Sequence, residues 1–141
     1  MTMRWWSGLL ALALAMLPVA LGDGSAVLGD EEGHHVTLYE DIDFGGQTKV
    51  LRKDAPNLVE ENFNDLATSL KWDLPKNKAV VLYIDADYKI PLLVLVGKGH
   101  LADLGILRDG NDSISSVAFL YCEGDRNPKG IGVDVPRLGK R

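Results

Sequence analysis

The sequence predicts an all-β fold: an antiparallel sandwich made from two copies of one supersecondary unit. Short runs of β-branched and aromatic residues are separated by turn residues, a pattern typical of sandwich strands. The pattern also repeats, because Tyr39 and Tyr83 lie 44 positions apart, and so do Phe44 and Tyr88. A fixed period of this length marks a repeated unit, and two copies are too few for a solenoid. No sustained helical stripe of apolar residues accompanies these runs, so no helix longer than a turn or two is expected.

Each copy is expected to contribute three strands to a folded domain at 36–121, with motifs at about 36–73 and 79–120. Between the first two strands, the segment 44–46 supplies a bend that its glycines adopt at low cost. Segments 58–66 and 101–107 would each hold a helical turn at most. The six predicted strands are Val36–Glu40, Thr48–Leu51, Leu70–Trp72, Ala79–Tyr83, Leu92–Val96 and Val117–Leu120.

The first 22 residues are predicted to be a secretory signal peptide. Arg4 precedes an apolar run at 8–17, and small residues follow at Ala20 and Gly22, which are the three regions of such a peptide. The run is shorter than the roughly 20 residues that a membrane-spanning helix requires. We therefore expect a secreted, extracellular protein with no membrane segment in its mature form. Residues 23–35 are expected to form a loose leader before the domain.

Composition narrows the classes of partner. The chain has 141 residues, 46% of them hydrophobic and 25% charged, with a formal net charge of −5. No stripe of Lys and Arg offsets this acidity, so nucleic acid is not an expected partner. The surplus carboxylates are compatible with hard cations such as calcium, although composition alone favours a merely soluble surface. The motifs of common enzyme classes are missing from the sequence, so no enzyme activity is expected.

Cys122 is the single cysteine of the sequence. An intramolecular disulfide is therefore excluded, and the fold must rely on its hydrophobic core and on any bound metal. Cys122 would either be buried and inert in a monomer or link two chains into a dimer. The sequence shows no sign of the nearby base that a catalytic thiol needs.

A second repeated feature has the form of two short polar acceptors, two free positions and two hydroxyls. It occurs at 64–69 as Asn-Asp-Leu-Ala-Thr-Ser and at 111–116 as Asn-Asp-Ser-Ile-Ser-Ser, each time near the end of its repeat. Carboxylate, hydroxyl and backbone carbonyl oxygens in a compact turn are the donors that calcium prefers. The same residue types also pin turns by bonding to backbone groups, so the pattern alone leaves both interpretations open.

Together these features resemble the βγ-crystallin family. Tyr39-Glu40, Phe44 and Gly46, followed by the segment 64–69, are similar to one Greek-key motif with its calcium signature. Tyr83 and Tyr88, followed by 111–116, resemble the second motif. The resemblance extends over roughly 36–119 and implies a single β-sandwich made of two Greek keys, with about two Ca²⁺ sites shared between them.

The resemblance also implies a set of ligands for calcium. Asn64, Asn111, Ser69 and Ser116 would mainly hold the turns. Side-chain ligands would be Asp65, Asp112, Thr68 and Ser115, and backbone carbonyl ligands would be Glu40, Leu66, Ile84 and Ser113.

One position departs from the family pattern. Where the first motif has Gly46, the second has Ile90 at the same 44-residue offset, followed by Pro91. Isoleucine does not readily adopt a positive φ angle. We therefore expect a distorted second hairpin and a less certain site at Ile84.

The last segment, 122–141, is predicted to be a flexible tail outside the sandwich, because it is rich in Gly, Pro and charged residues. Its ending, Gly139-Lys140-Arg141, resembles a processing and amidation signal as well as an ordinary basic tail.

Two functions follow as expectations. The first is a calcium-stabilised binding or structural module. The alternative is a secreted effector, such as an inhibitor, a toxin-like component or an amidated-peptide precursor, which uses the domain as a scaffold and acts on an unknown extracellular protein partner.

Overall fold

The computed structural model describes residues 34–123 and 126–140, all within the unit that runs from Gly33 to Arg141. Two short 3₁₀ turns, Ile42–Phe44 and Leu104–Ile106, are its only helical elements within these ranges. None of the described elements is a helix with the length and hydropathy needed to cross a membrane. The strands are β1 (His35–Tyr39), β2 (Thr48–Leu51), β3 (Ser69–Asp73), β4 (Lys78–Tyr83), β5 (Pro91–Val96), β6 (Lys98–Leu101), β7 (Ser116–Tyr121) and β8 (Arg137–Leu138).

The strands form two four-stranded sheets, with orders β2-β1-β3-β6 and β7-β4-β5-β8. Each sheet takes one segment from the other motif. Strand β6 follows the first two strands of motif 2 but pairs with β3 of motif 1. In return, Ala55 of motif 1 exchanges two backbone hydrogen bonds with Val117 of β7, at 2.8 and 2.9 Å. This exchange is the long return connection of a Greek key, made once in each direction.

The main core lies between the sheets. Side chains alternate between the two faces of a strand, so every second residue of β1, β3, β4 and β5 points inward. Trp72 closes one end of this core and donates from Nε1 to the carbonyl of Val96 at 2.9 Å. The inward residues of these strands are Val36, Leu38, Leu70, Trp72, Val80, Leu82, Leu93 and Leu95, all buried.

A second apolar cluster covers the outer face of the β7-β4-β5-β8 sheet. Ile131 and Val135 from the C-terminal segment pack against this face. Strand β8 then pairs in parallel with β5, and Lys140 pairs with Lys98. We call residues 126–140 the C-terminal cover. The face beneath it consists of Ala79, Val81, Tyr83, Val94, Val96, Ala118 and Cys122, all buried.

The structure confirms the all-β sandwich and the six predicted strands to within a residue or two. It corrects the tail: residues at 122–141 were expected to lie outside the sandwich, yet the cover forms a strand and a third layer. Its few apolar residues suffice because they meet a sheet face that is itself apolar. The signal peptide at 1–22 and most of the leader at 23–35 lie outside the described residues, although β1 begins within that leader, at His35.

Candidate metal site

Two hairpins with nearly the same conformation begin the two motifs. In the first, Asp43 and Phe44 have positive φ angles of 53° and 65°. In the second, Asp87 and Tyr88 have positive φ angles of 59° and 58°. Left-handed backbone is costly for residues with a side chain, so something must hold these loops in place.

A buried serine holds each hairpin. Ser69 Oγ accepts from the backbone N–H of Phe44 at 3.0 Å and donates to the carbonyl of Asp41 at 2.5 Å. Ser116 Oγ repeats this with Tyr88 at 3.1 Å and Asp85 at 2.6 Å. These are the last residues of the two hexapeptide signatures, and their predicted turn-holding role is confirmed by these bonds.

The aromatic residue of each hairpin packs edge-on against the tyrosine at the end of the preceding strand. Ring centroids are 5.5 Å apart for Tyr39 and Phe44, and 5.7 Å apart for Tyr83 and Tyr88. Burial raises the pKa of both Tyr83 and Tyr88, and the negative charge of Asp54 adds to the effect. Both phenols therefore stay neutral at physiological pH.

The acidic residues and hydroxyls of the two signatures pair crosswise between the motifs. Thr68 Oγ1 donates to the Asp112 carboxylate at 2.9 Å, although 44 positions separate them. Ser115 Oγ donates to the Asp65 carboxylate at 3.1 Å, across 50 positions. The four predicted side-chain ligands thus form two pairs, and each pair takes one residue from each motif.

The asparagines orient the carboxylates. Asn64 Nδ2 donates to Asp65 Oδ2 at 2.7 Å, and Asn111 Nδ2 donates to Asp112 Oδ2 at 2.8 Å. One oxygen of each carboxylate is therefore held by its neighbour in the chain, while the other faces a hydroxyl of the opposite motif. Asp65 and Asp112 also share a left-handed backbone, with φ angles of 53° and 50°.

Backbone bonds bring each pair next to one hairpin. The Thr68 N–H donates to the Tyr39 carbonyl at 2.8 Å, which places Thr68 beside Glu40. The Ser115 N–H donates to the Tyr83 carbonyl at 2.9 Å, beside Ile84. One candidate site therefore combines Thr68 and Asp112 with the first hairpin. The other combines Ser115 and Asp65 with the second hairpin.

The four carbonyls that the resemblance implies as ligands are those of Glu40, Leu66, Ile84 and Ser113. Within residues 34–123 and 126–140, the recorded hydrogen bonds leave these carbonyl oxygens without a donor. A backbone carbonyl near the surface with no protein donor is able to accept from water or coordinate a cation.

The oxygen spacing fits a calcium ion. Calcium–oxygen distances are about 2.4 Å, and adjacent ligands in the pentagonal plane are then about 2.8 Å apart. The hydroxyl–carboxylate separations of 2.9 and 3.1 Å are close to that spacing. Within the described residues, no three His, Cys, Asp or Glu side chains cluster together. Each hydroxyl–carboxylate pair supplies one carboxylate, which together with hydroxyl and carbonyl oxygens makes a hard donor set.

Comparison with solved structures identifies the fold. A structure concerned with the evolution of the eye-lens βγ-crystallin domain fold is 25% identical to this chain, with a TM-score of 0.56. The match covers 64% of this chain and 89% of that one. A βγ-crystallin from an archaeon is also 25% identical, with a TM-score of 0.51, and covers 62% of this chain and 98% of its own.

The domain has the βγ-crystallin fold. A βγ-crystallin from Ciona intestinalis has the same fold, with 24% identity, a TM-score of 0.51, and coverage of 60% of this chain and 96% of that one. These three structural neighbours are all βγ-crystallins or βγ-crystallin domains. No protein-family model and no curated protein matches the sequence.

The expected distortion of the second hairpin is a difference in loop length. Its closing bond joins the Ile84 N–H to the Ile90 carbonyl, whereas the first hairpin joins Glu40 to Gln47. The second hairpin is therefore one residue shorter, and the β4–β5 register shifts at the end of β4. Gly46, with a φ angle of 72°, has no counterpart. The expectation that Ile90 must occupy the glycine position is wrong, because the shorter loop removes that position.

Proposed function

We propose that this βγ-crystallin domain binds two calcium ions, each joining the two motifs, and that the ions stabilise an extracellular protein. The observation that carries the proposal is the crosswise pairing of Thr68 with Asp112 and of Ser115 with Asp65. A purely structural turn would be pinned within its own motif. Here, each signature instead presents its carboxylate to the hydroxyl of the other motif.

The proposed coordination follows from the two clusters. Asp112, Thr68 and the Glu40 carbonyl would hold one ion, and Asp65, Ser115 and the Ile84 carbonyl the other. The carbonyls of Leu66 and Ser113 lie inside the two signatures and would complete the sites. The ions supply positive charge, which would draw oxygens of both motifs to one point and resist their separation.

The expected affinity is modest. Calcium affinity increases with the number of ligand charges, and each site has one carboxylate. We expect dissociation constants of about 10⁻⁵–10⁻³ M, a range suited to extracellular calcium levels. At a hundredfold excess over the dissociation constant, one site adds about 2.7 kcal/mol to the free energy of unfolding. The shorter second hairpin makes the Ile84 site the weaker of the two.

Calorimetric titration of calcium into the chelator-stripped chain tests this proposal. Asp65→Asn and Asp112→Asn are better variants than alanine, because asparagine tolerates the left-handed backbone at both positions. Each should weaken one site at least tenfold and leave the other. Asp109→Asn is the matched control, since Asp109 has the same backbone conformation (φ 60°), is exposed, and supplies no proposed ligand.

The titration discriminates between the two interpretations of the signatures. If the chain is folded by circular dichroism but releases no heat with calcium, the signatures only pin turns and the proposal is wrong. If Asp109→Asn weakens binding as much as Asp112→Asn does, the ion is held by general surface charge.

Secretion is a separate part of the proposal and rests on the sequence of residues 1–22. Expression in a secreting eukaryotic cell, followed by N-terminal sequencing of protein from the medium, should give a chain beginning at Asp23. Retention of the intact N-terminus inside the cell would contradict it. The alternative peptide-precursor function gains no support from the cover, because Lys140 exchanges backbone hydrogen bonds with Lys98 at 3.1 and 3.4 Å and would first have to detach.

A further inference from the structure

The two sheets of the sandwich differ in their outer faces. Lys71 and His100 on the outer face of the β2-β1-β3-β6 sheet are exposed. On the other sheet, every residue of β4 after Lys78 and every residue of β5 after Pro91 is buried. That sheet therefore has apolar side chains on both faces, although it belongs to a two-layer fold in which one face usually meets water.

The C-terminal cover accounts for this burial. Ile131 and Val135 pack on the apolar face, and the Val94 N–H donates to the Pro136 carbonyl at 2.9 Å. Val133, between the two packed residues, is 91% exposed. The cover is thus held by a few apolar side chains and one short strand pairing, which is much less packing than the core between the two sheets has.

Strand β5 has the features of a pairing edge that needs protection. Residues 92–96 read Leu-Leu-Val-Leu-Val, with no charge and strong β propensity, which is the composition of segments that pair between chains. The edges at β2 and β6 instead carry Lys49 and Lys98, and charged residues at an edge discourage such pairing; Lys98 also pairs with Lys140 of the cover. Among the described residues, it is the cover that protects the β5 edge.

Gly139 fixes the end of the cover. Its φ angle is 116°, and a Cβ atom there would lie 1.8 Å from the Val96 carbonyl oxygen and 2.9 Å from Trp72 Nε1. Any side chain at this position must therefore push the cover away from β5. Gly132 has open space around it, so a Cβ atom there would meet nothing within 4 Å.

We propose that the C-terminal cover conceals a self-association surface, and that a second copy of this chain pairs with β5 once the cover is released. Two β5 edges related by a two-fold axis would run antiparallel and join their sheets into one. The apolar outer faces would then lie side by side, each shielding the other at its margin. The same surface is matched on both copies, as a closed dimer requires.

Gly139→Ala in the full chain tests the proposal, with Gly132→Ala as the matched control. Cys122 reports on the cover, because its side chain is 2% exposed and its Sγ lies 2.9 Å from the Arg126 carbonyl. In Gly139→Ala, we expect the thiol to react with Ellman's reagent at least tenfold faster, and light scattering under reducing conditions to show a dimer at tens of micromolar chain. Gly132→Ala should remain monomeric, and its Cys122 thiol should react slowly with Ellman's reagent.

Two further measurements keep the outcome decisive. A double change of Ile131 and Val135 to serine loosens the cover by a different route and should also give dimer. A synthetic peptide of residues 126–140, added in excess to Gly139→Ala, should return the dimer to monomer. The proposal is overturned if the Cys122 thiol of Gly139→Ala still reacts slowly with Ellman's reagent. It is also overturned if the thiol reacts fast while Gly139→Ala and the Ile131/Val135 double variant both remain monomeric. Loss of the folded circular dichroism spectrum in both variants would also overturn it, since the cover would then be part of the core.

Discussion

The buried serine that holds the second hairpin supports the sharpest prediction on stability. Ser116 is fully buried, and its Oγ serves both the Tyr88 N–H and the Asp85 carbonyl. In Ser116→Ala both backbone groups lose this partner. Asp85 is exposed, so water can replace the bond to its carbonyl. The cost is therefore mainly the unpaired Tyr88 N–H, about 2 kcal/mol in the free energy of unfolding.

This loss corresponds to a fall of roughly 10 °C in melting temperature for a domain of this size. Urea titration and calorimetry of the calcium-free chain would measure it. Ser69→Ala should behave alike, because Ser69 makes the same two bonds in motif 1. Ser113→Ala removes a half-buried hydroxyl that donates to the carbonyl of Asp109, an exposed residue whose carbonyl water can serve instead, so stability should change by less than about 0.5 kcal/mol. If Ser116→Ala were as mild as Ser113→Ala, the serine would not be holding the hairpin and the reasoning would be refuted.

Three further predictions concern the core, the first hairpin and pH. Trp72→Phe leaves the buried carbonyl of Val96 without its indole donor and should cost about 1–3 kcal/mol by urea unfolding. Gly46→Ala should cost about 1–2 kcal/mol because of its positive φ, while Gly45→Ala, with ordinary van der Waals contacts, should be close to neutral; equal costs would contradict this. Burial lowers the pKa of His34 from its ordinary 6.5, with nearby cations adding to the effect. The unfolded chain therefore takes up the proton first, so stability should fall as pH drops through 6.5, and His34→Gln should flatten that part of a urea-midpoint profile.

Much of the fold was predictable because each motif repeats the same local chemistry. The five-residue spacing of Tyr39 and Phe44 recurs in motif 2, and each hexapeptide signature ends in a serine, so strand positions and turn-holding serines follow from the sequence alone. Strand β6 was not predicted, because Lys98–Leu101 has one apolar residue and a glycine. The glycine is explained only by packing, since a Cβ atom at Gly99 would lie 2.5 Å from the Trp72 ring.

The residue types of the candidate site could be predicted from the sequence, but the pairing of these residues between the two motifs could not. The residues of each signature are evident in the sequence, yet nothing local indicates that Thr68 faces Asp112 of the other motif. That pairing depends on the exchange of segments between the sheets. The hairpin difference was similarly hidden, because a constant offset of 44 aligns Gly46 with Ile90, while the hydrogen bonds align Gln47 with Ile90.

The cover was not predicted, because the composition of a segment gives no information about the surface against which it packs. Ile131 and Val135 are isolated among Gly, Pro and charged residues, and they pack only because the sheet beneath them is apolar on its outer face. The sequence did contain that cue in β5, whose uninterrupted apolar run differs from the alternating pattern of a strand with one wet face. A run of this kind in a two-layer sandwich implies a third layer.

The candidate calcium sites and the cover act on different contacts within one domain. The sites join motif 1 to motif 2 through the pairs Thr68–Asp112 and Ser115–Asp65, whereas the cover packs on one sheet and pairs along β5 and β6. The hydrogen bonds named here for the two sets of residues share no partner, so their contributions to the free energy of unfolding should add. Bound calcium would then set the stability of the contact between the two motifs, and the cover would determine whether the domain is a monomer or a dimer. A fold built from two matched motifs would then combine two separate controls, one by calcium between the motifs and one by the cover on a single sheet.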